Sequence, residues 1–384
     1  MTGKELSKLI AAQICLHACM AGMRMAAPLL ALREGFSPAA VGVLLALFAL
    51  TQVFLALPAG RFTDRHGLRK PVQLSVLAAS AGAGLAVTFP IFPVLCLSAL
   101  MTGGATGVMA IALQRFVGRS AESNLELKKV FSWLALGPAI SNFIGPFFAG
   151  LLIDHSGFRA AFLLMALLPL VSWLLVHKTR ELPAVVVDAA AKPSTAWDLF
   201  NEPMMRRLII VNWFLSSCWD VHTFVVPILG HERGYSASVI GSILGVFAIA
   251  AAMVRVLLPF IAKYLKEWVV VSGAMVITGV LFGIYPLMPS ALAMGLCSVA
   301  LGFVLGSVQP MIMSTLHQIT PEHRHGEALG LRLMTINASS VIMPMLYGVA
   351  GAVVGVAGLF WVTGALVGLA SNQAWKLRPP KSSH

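Results

Sequence analysis

The chain has 384 residues, 58% of them hydrophobic and only 11% charged, with a formal net charge of +12. Soluble proteins carry about 25% charged residues, so a water-soluble globule is excluded and the solvent for most of this chain is lipid. Its cations are spread between apolar runs instead of gathering on one soluble face, which excludes a nucleic-acid binder.

A bilayer core of about 30 Å needs about 20 apolar residues per helix. Runs near 9–31, 38–59, 72–90, 93–114, 131–153, 158–177, 207–230, 236–261, 268–288, 291–316, 328–351 and 355–375 predict twelve spans. The first run follows a basic start, MTGKELSKLI, but lacks a small-residue cleavage site, so it reads as a span and not as a signal peptide. TFPIFP and YPLMPS supply proline-rich turns between spans three and four and between spans nine and ten. Residues 178–206, with prolines, alanines and mixed charge, read as a linker between residues 1–177 and 207–384. Cys15, Cys19, Cys96, Cys218 and Cys297 all sit in apolar runs without a CxxC pair, so neither disulfides nor zinc are expected.

Lysine and arginine mark the cytoplasmic side. With an inside N-terminus, the inside segments hold 21 of the 27 Lys and Arg. Arg33, Arg159 and Arg233 fall outside; Arg24, Arg255 and Arg332 fall within spans. Both termini are therefore expected inside, and the positive balance reflects topology and anionic headgroups.

The two halves repeat. PLLALREGFSPAAVGVLLALF at 28–48 and PILGHERGYSASVIGSILGVF at 227–247 share seven of 21 positions at an offset of 199: Pro28/Pro227, Leu30/Leu229, Gly35/Gly234, Ser37/Ser236, Gly42/Gly241, Leu45/Leu244 and Phe48/Phe247. The same offset pairs Gly103 with Gly302 and Gly107 with Gly306. Parallel six-span repeats place a binding site between halves near the bilayer midplane. The GxxxG pairs 103/107, 241/245, 279/283, 302/306, 351/355 and 364/368 need nothing beyond close helix packing.

One stretch, GRFTDRHGLRKP at 60–71, concentrates charge between two apolar runs. Gly60, Asp64, Arg65, Gly67, Arg69 and Lys70 resemble the loop signature of the major facilitator superfamily, with Leu68 at a position often basic in that family. In the second copy the stretch has become PFIAKYLK at 259–266, where Lys263 takes the Asp64 position, so only the first copy keeps the acid. GPAISNFIGPFFAG in span five is similar to the family's antiporter motif through Gly137, Gly145, Pro146 and Gly150, with Ala149 replacing a glycine. An arginine early in span four, common among such antiporters, is absent; Ala99 stands there.

The resemblance implies an all-α membrane protein of twelve helices in two pseudo-symmetric six-helix bundles, a bacterial cytoplasmic membrane and a single working chain. It implies that Asp64 and its basic neighbours latch the cytoplasmic side; the alternative is a loop that only fixes topology. Asp64 can pair within the loop or meet a helix N-terminus of the other half, where the dipole favours an anion.

Ionisable groups inside a span are costly and serve as site candidates. His17 and Arg24 share a face of span one. Span seven holds Asp220 and His222, and the offset places Arg24 opposite Thr223, one helical turn from Asp220. The resemblance puts spans one and seven at the cavity. Asp220 is then the proton-coupling candidate, with His222 second, and Arg24 is the partner released for an anionic substrate group. A structural ion pair is the alternative. Arg255 and Arg332 divide between substrate attraction and internal pairing. Trp213, Trp219, Phe214, Phe224, Asn212 and Gln309 could line a ligand pocket, although packing alone accounts for the aromatics.

No HExxH or Walker loop is present, and the PEHRHGE cluster at 321–327 lacks metal-ligand spacing. No enzyme, metal or cofactor is expected. The expected function is proton-coupled export of small drug-like or anionic compounds; the alternative is proton-coupled uptake of an organic anion or metabolite.

Overall fold

The computed structural model describes residues 2–36, 38–182, 196–235 and 237–378. Among them there is no strand. Hydrocarbon offers no partners to backbone amides and carbonyls, so each crossing segment must satisfy its own, and a helix does this. The helices are α1 (Gly3–Arg33), α2 (Pro38–His66), α3 (Arg69–Thr88), α4 (Phe92–Arg119), α5 (Asn124–Leu134), α6 (Leu136–Ser156), α7 (Phe158–Val176), α8 (Pro203–Glu232), α9 (Ala237–Ile261), α10 (Glu267–Ile284), α11 (Ala291–Ile319) and α12 (His325–Trp375).

Span five is built from α5 and α6 joined at Ala135 and begins at Asn124 rather than near 131, because α5 carries its polar turn, with Glu126, Lys128 and Lys129, beyond the apolar run. Spans eleven and twelve form one helix of 51 residues, broken at Gly355, whose φ of 71° is non-helical. Eleven stretches among the described residues are long and apolar enough to cross a membrane. The eleventh expected span, 328–351, runs into residues 344–353, whose side chains lie outside the described set, as do Ser37, Ser236 and linker residues 183–195.

The chain divides into two compact units. The first comprises Met1–Glu122, Trp133–Ala196 and Thr320–Ala338; the second comprises Ser123–Ser132, Trp197–Ile319 and Ser339–His384. Each unit thus takes in a short segment from the opposite half of the sequence. In the first, α1 packs on α6 and α7, and α4 packs on α2 and α3. In the second, α11 packs on α9, α10 and α8.

The repeat is visible in atomic contacts. A Cβ added at Gly103 would strike the Phe48 carbonyl oxygen, and one at Gly302 would strike that of Phe247; all four residues are repeat partners. The α1 and α8 ends also match. Gly35 (φ 84°) and Gly234 (φ 74°) take the left-handed conformation, and the next amides, Phe36 and Tyr235, bond back to the Ala31 and Gly230 carbonyls. This is the Schellman ending that glycine favours. The 279/283 and 364/368 pairs pack on one another: a Cβ at Gly279 would lie 2.9 Å from the Gly364 carbonyl oxygen. Gly241 and Gly351 fall outside the described set.

Candidate functional site

The charged stretch at 60–71 is mostly helix, not loop. α2 continues through Asp64 to His66, the chain turns at Gly67 (φ 72°), and α3 starts at Arg69. The sequence expectation of a loop fails because charges at the end of a span prolong the helix into the headgroup layer, while the turn needs only one left-handed residue.

Asp64 meets a helix start and a buried cation within the first unit. Its Oδ1 accepts from Arg115 Nε at 2.5 Å and from the Gly326 amide at 3.0 Å; Oδ2 accepts from the Glu327 amide at 3.2 Å. Gly326 and Glu327 are in the first turn of α12, where amides lack intrahelical partners and the dipole end is positive. The Arg115 side chain is only 4% exposed and that of Asp64 12%. Around them, Arg61 Nε donates to Glu327 Oε1 at 2.9 Å, Arg324 Nε to Glu327 Oε2 at 2.8 Å, and Arg119 Nε to Glu322 Oε1 at 2.7 Å. Of the alternatives left open by the sequence, the geometry has the helix N-terminus. Arg65 and Lys70 are exposed, and Arg69 turns to the Thr179 carbonyl at 2.8 Å.

Small residues make this approach possible. A Cβ at Gly60 would land on the Gly326 carbonyl, one at Gly326 on the Gly60 carbonyl and the Asp64 carboxylate, and one at Gly330 on the Ala56 carbonyl. Gly326 and Gly330 form a GxxxG pair that sequence reading missed, because the PEHRHGE charges suggested a loop. Also missed was Glu181, which follows α7. Its carboxylate accepts from the Leu68 and Arg69 amides at 3.0 and 2.7 Å and so caps α3.

A related arrangement with reversed charge occurs in the second unit. Lys128 of α5 donates to the Leu265 carbonyl at 2.7 Å and lies 3.3 Å from Glu267 Oε1. Glu267 also accepts from Ser314 Oγ at 3.0 Å and Gln318 Nε2 at 2.8 Å. The offset of 199 relates Lys128 to Glu327 and Arg115 to Ser314. The second copy lost its acid at Lys263, but Glu267, four residues on, supplies one. Sequence alignment could not find it, since the acid moved by a helical turn.

The span-five motif faces α1. A Cβ at Gly145 would strike the Ala18 carbonyl and lie 2.8 Å from the Gly22 amide; one at Gly137 would lie 2.5 Å from Gln13 Oε1; one at Gly150 would meet Met25 at 3.5 Å. Pro146 lies inside α6, and Ser141 Oγ reaches the Ile14 carbonyl at 3.2 Å. This glycine face therefore sets how close α6 comes to the helix carrying His17 and Arg24. His17 is half-buried and shares a hydrogen bond with Asn142, within the motif itself; Arg24 is exposed.

In the second unit Asp220 is half-buried, and its Oδ1 accepts from Ser340 Oγ at 3.5 Å. One turn earlier Ser217 and Ser339 hydroxyls meet at 3.0 Å, so two polar pairs join α8 to α12. His222 is fully buried. Its Nε2 bonds Ser298 Oγ at 2.9 Å, Ser298 meets Tyr285 Oη at 2.7 Å, and the ring stacks on Phe247 at 4.0 Å. Trp219 packs edge-on against Phe247, and Arg255, 6% exposed, lies 5.7 Å above Trp219. Arg255 Nε also donates to the Gly306 carbonyl at 3.4 Å. Asn212 is buried, Trp213 stands edge-on to Phe214, Gln309 is half-buried and Phe224 is exposed. Arg332 is buried in the first unit. The structure thus groups Arg255, Trp219, Phe247 and His222, and separately Asp220 with Ser340; Arg24 and Arg332 belong to the other unit.

Comparisons with known proteins agree with this architecture. The sequence profile described as Major Facilitator Superfamily matches residues 9–331 and again 208–384. The tetracycline resistance protein, class B, of Escherichia coli is 26% identical over a 353-residue alignment covering 80% of this chain and 78% of that protein. The class E protein of Escherichia coli is 30% identical over 235 residues, 59% of this chain and 57% of that one. Among solved structures, a bacterial homologue of the iron transporter ferroportin in an outward-facing state superposes with a TM-score of 0.80 at 17% identity, covering 97% of this chain and 99% of that one. The human organic anion transporter MFSD10 (TETRAN) gives 0.80 at 15% identity, over 97% and 100% of the two chains. These likenesses show the shared fold. Apolar helices long enough to span, glycine faces repeated at a fixed offset and a family profile met twice along the chain place this multi-pass membrane protein in the Major Facilitator Superfamily, as a transporter of small molecules and not an enzyme.

Proposed function

We propose that this transporter exports small organic compounds, drug-like or anionic, in exchange for protons, by alternating access of the halves 1–177 and 207–384 about the linker 178–206. The observation that carries this reading is its likeness to tetracycline resistance proteins over four-fifths of the chain. A membrane carrier that protects its cell from a drug does so most directly by moving the drug out. The chain works as a monomer with both termini inside.

Asp220 carries the coupling proton: a carboxylate on a spanning helix is costly when charged, which makes it a group that can take up and release a proton as its surroundings change. Arg24 receives the anionic part of the substrate when Asp220 is protonated. Asp64, seated on Arg115 and the start of α12, latches one end of the pathway, and its release opens that end. Uptake of an organic anion is the second reading, favoured by Arg24, Arg255 and Arg332 against the single acid Asp220.

Purified full chain in proteoliposomes with an imposed pH gradient, screened with tetracycline and with cationic, neutral and anionic solutes, tests both. Exchange of solute against protons, lost in Asp220→Asn, is expected. Flux indifferent to the gradient removes proton coupling, and co-movement of an anion with protons selects the second reading.

A further inference from the structure

An apolar groove of about 590 Å³ lies among α2, α3 and α4 in the first unit. Leu55, Pro58, Phe62, Leu74, Ala78 and Gly104 are among its walls. The volume falls within the about 300–1,000 Å³ of ordinary ligand pockets, but the lining is almost wholly carbon. A water-filled substrate chamber needs polar anchors, and this groove has none of the candidate substrate residues. Its rim is exposed hydrocarbon: Leu55 is 40% exposed, Leu74 54%, and the neighbouring Phe54 72%. On a membrane-spanning helix such surface faces acyl chains.

One end of the groove is charged. Phe62 lies three residues before Arg65 on α2, and Leu74 lies four after Lys70 on α3, so both cations stand one helical turn beyond the apolar walls. Both are exposed, whereas the other cations of this stretch are engaged: Arg61 with Glu327 and Arg69 with the Thr179 carbonyl. Two outward cations capping a carbon-lined slot match one amphiphile, a chain with an anionic head.

We propose that this groove is a specific phospholipid site: one acyl chain lies between α2 and α3 over Gly104, and the phosphate of an anionic headgroup rests on Arg65 and Lys70. Bound there, the lipid braces the Gly67 turn one helical turn from Asp64. The site stands apart from the transport reading above, since lipid binding can be measured without flux.

The test titrates delipidated full chain with phosphatidylglycerol or phosphatidylcholine of identical chains and counts bound lipid by native mass spectrometry. Wild type is expected to hold one phosphatidylglycerol in preference to phosphatidylcholine. Arg65→Gln with Lys70→Gln should weaken that binding about thirtyfold and abolish the preference. Ala78→Trp, which fills the groove, should lose the tight lipid while keeping its thermal unfolding temperature. If Ala78→Trp does not fold, Leu74→Glu at the exposed rim serves the same purpose. Leu369→Trp, 78% exposed elsewhere, should bind as wild type. Equal retention of the two lipids by wild type, or undiminished phosphatidylglycerol binding by the groove variants, overturns the site.

Discussion

Arg115 Nε lies 2.5 Å from Asp64 Oδ1, although 51 residues separate the two in sequence. The pair is nearly dry, and Asp64 spends its remaining capacity on two amides of the α12 first turn. Asp64→Asn leaves a buried guanidinium without its counter-charge, which costs about 3–5 kcal/mol. Arg115→Gln should cost less, because the amides still face the carboxylate. Arg65→Gln, on the exposed side, should change stability by no more than about 0.5 kcal/mol. Unfolding of the detergent-solubilised variants checks the order; a loss for Arg65→Gln equal to that for Asp64→Asn contradicts it.

Glycine substitutions should separate by neighbour, not by helix position. Gly60→Ala and Gly326→Ala each drive a methyl onto the other's backbone carbonyl. Backbone cannot step aside, so each should cost about 1–3 kcal/mol. Gly84→Ala and Gly295→Ala meet nothing within 4 Å and should gain up to about 1 kcal/mol of helix stability. Thermal unfolding of the four variants decides the matter.

Lys128 should count for more than the acid it faces. Lys128→Met removes a charged donor from both Leu265 and Glu267 and should cost about 1.5–3 kcal/mol. Glu267→Gln keeps an acceptor for Ser314 and Gln318 and leaves Lys128 on its carbonyl, so its cost should be smaller. A double-mutant cycle measures the coupling. A zero coupling energy would show that the contact between Lys128 and Glu267 is incidental.

His222 anchors α8 through Ser298 and Phe247. His222→Ala opens a cavity beside Phe247 and leaves the Ser298 hydroxyl with Tyr285 as its remaining partner, for about 2–4 kcal/mol. Carrier that still folds should keep the wild-type pH profile of transport, whereas Asp220→Asn should flatten it. A flattened profile for His222→Ala would place the histidine in the proton path.

Much of this protein was legible as sequence, since burying a span in hydrocarbon depends on about twenty local residues and on nothing distant. That local rule gave the spans among the described residues, with ends missed where polar turns prolonged helices, as at Gly3, His66, Arg119 and Asn124, and where Gly355 broke one helix instead of ending it. The repeat was equally plain, because Phe48/Phe247 and Gly103/Gly302 keep their identities. The acid of the charged stretch could be named, but not its partners. Arg115, Gly326 and Glu327 come from α4 and α12, and Lys128 meets Glu267 from 139 positions away. A charged side chain has many possible partners along a chain and is bound to one only by packing. Which charges meet was therefore settled by helix packing, for Asp64 by the close approach of the Gly60 and Gly326 backbones, and that packing exists only in the folded molecule.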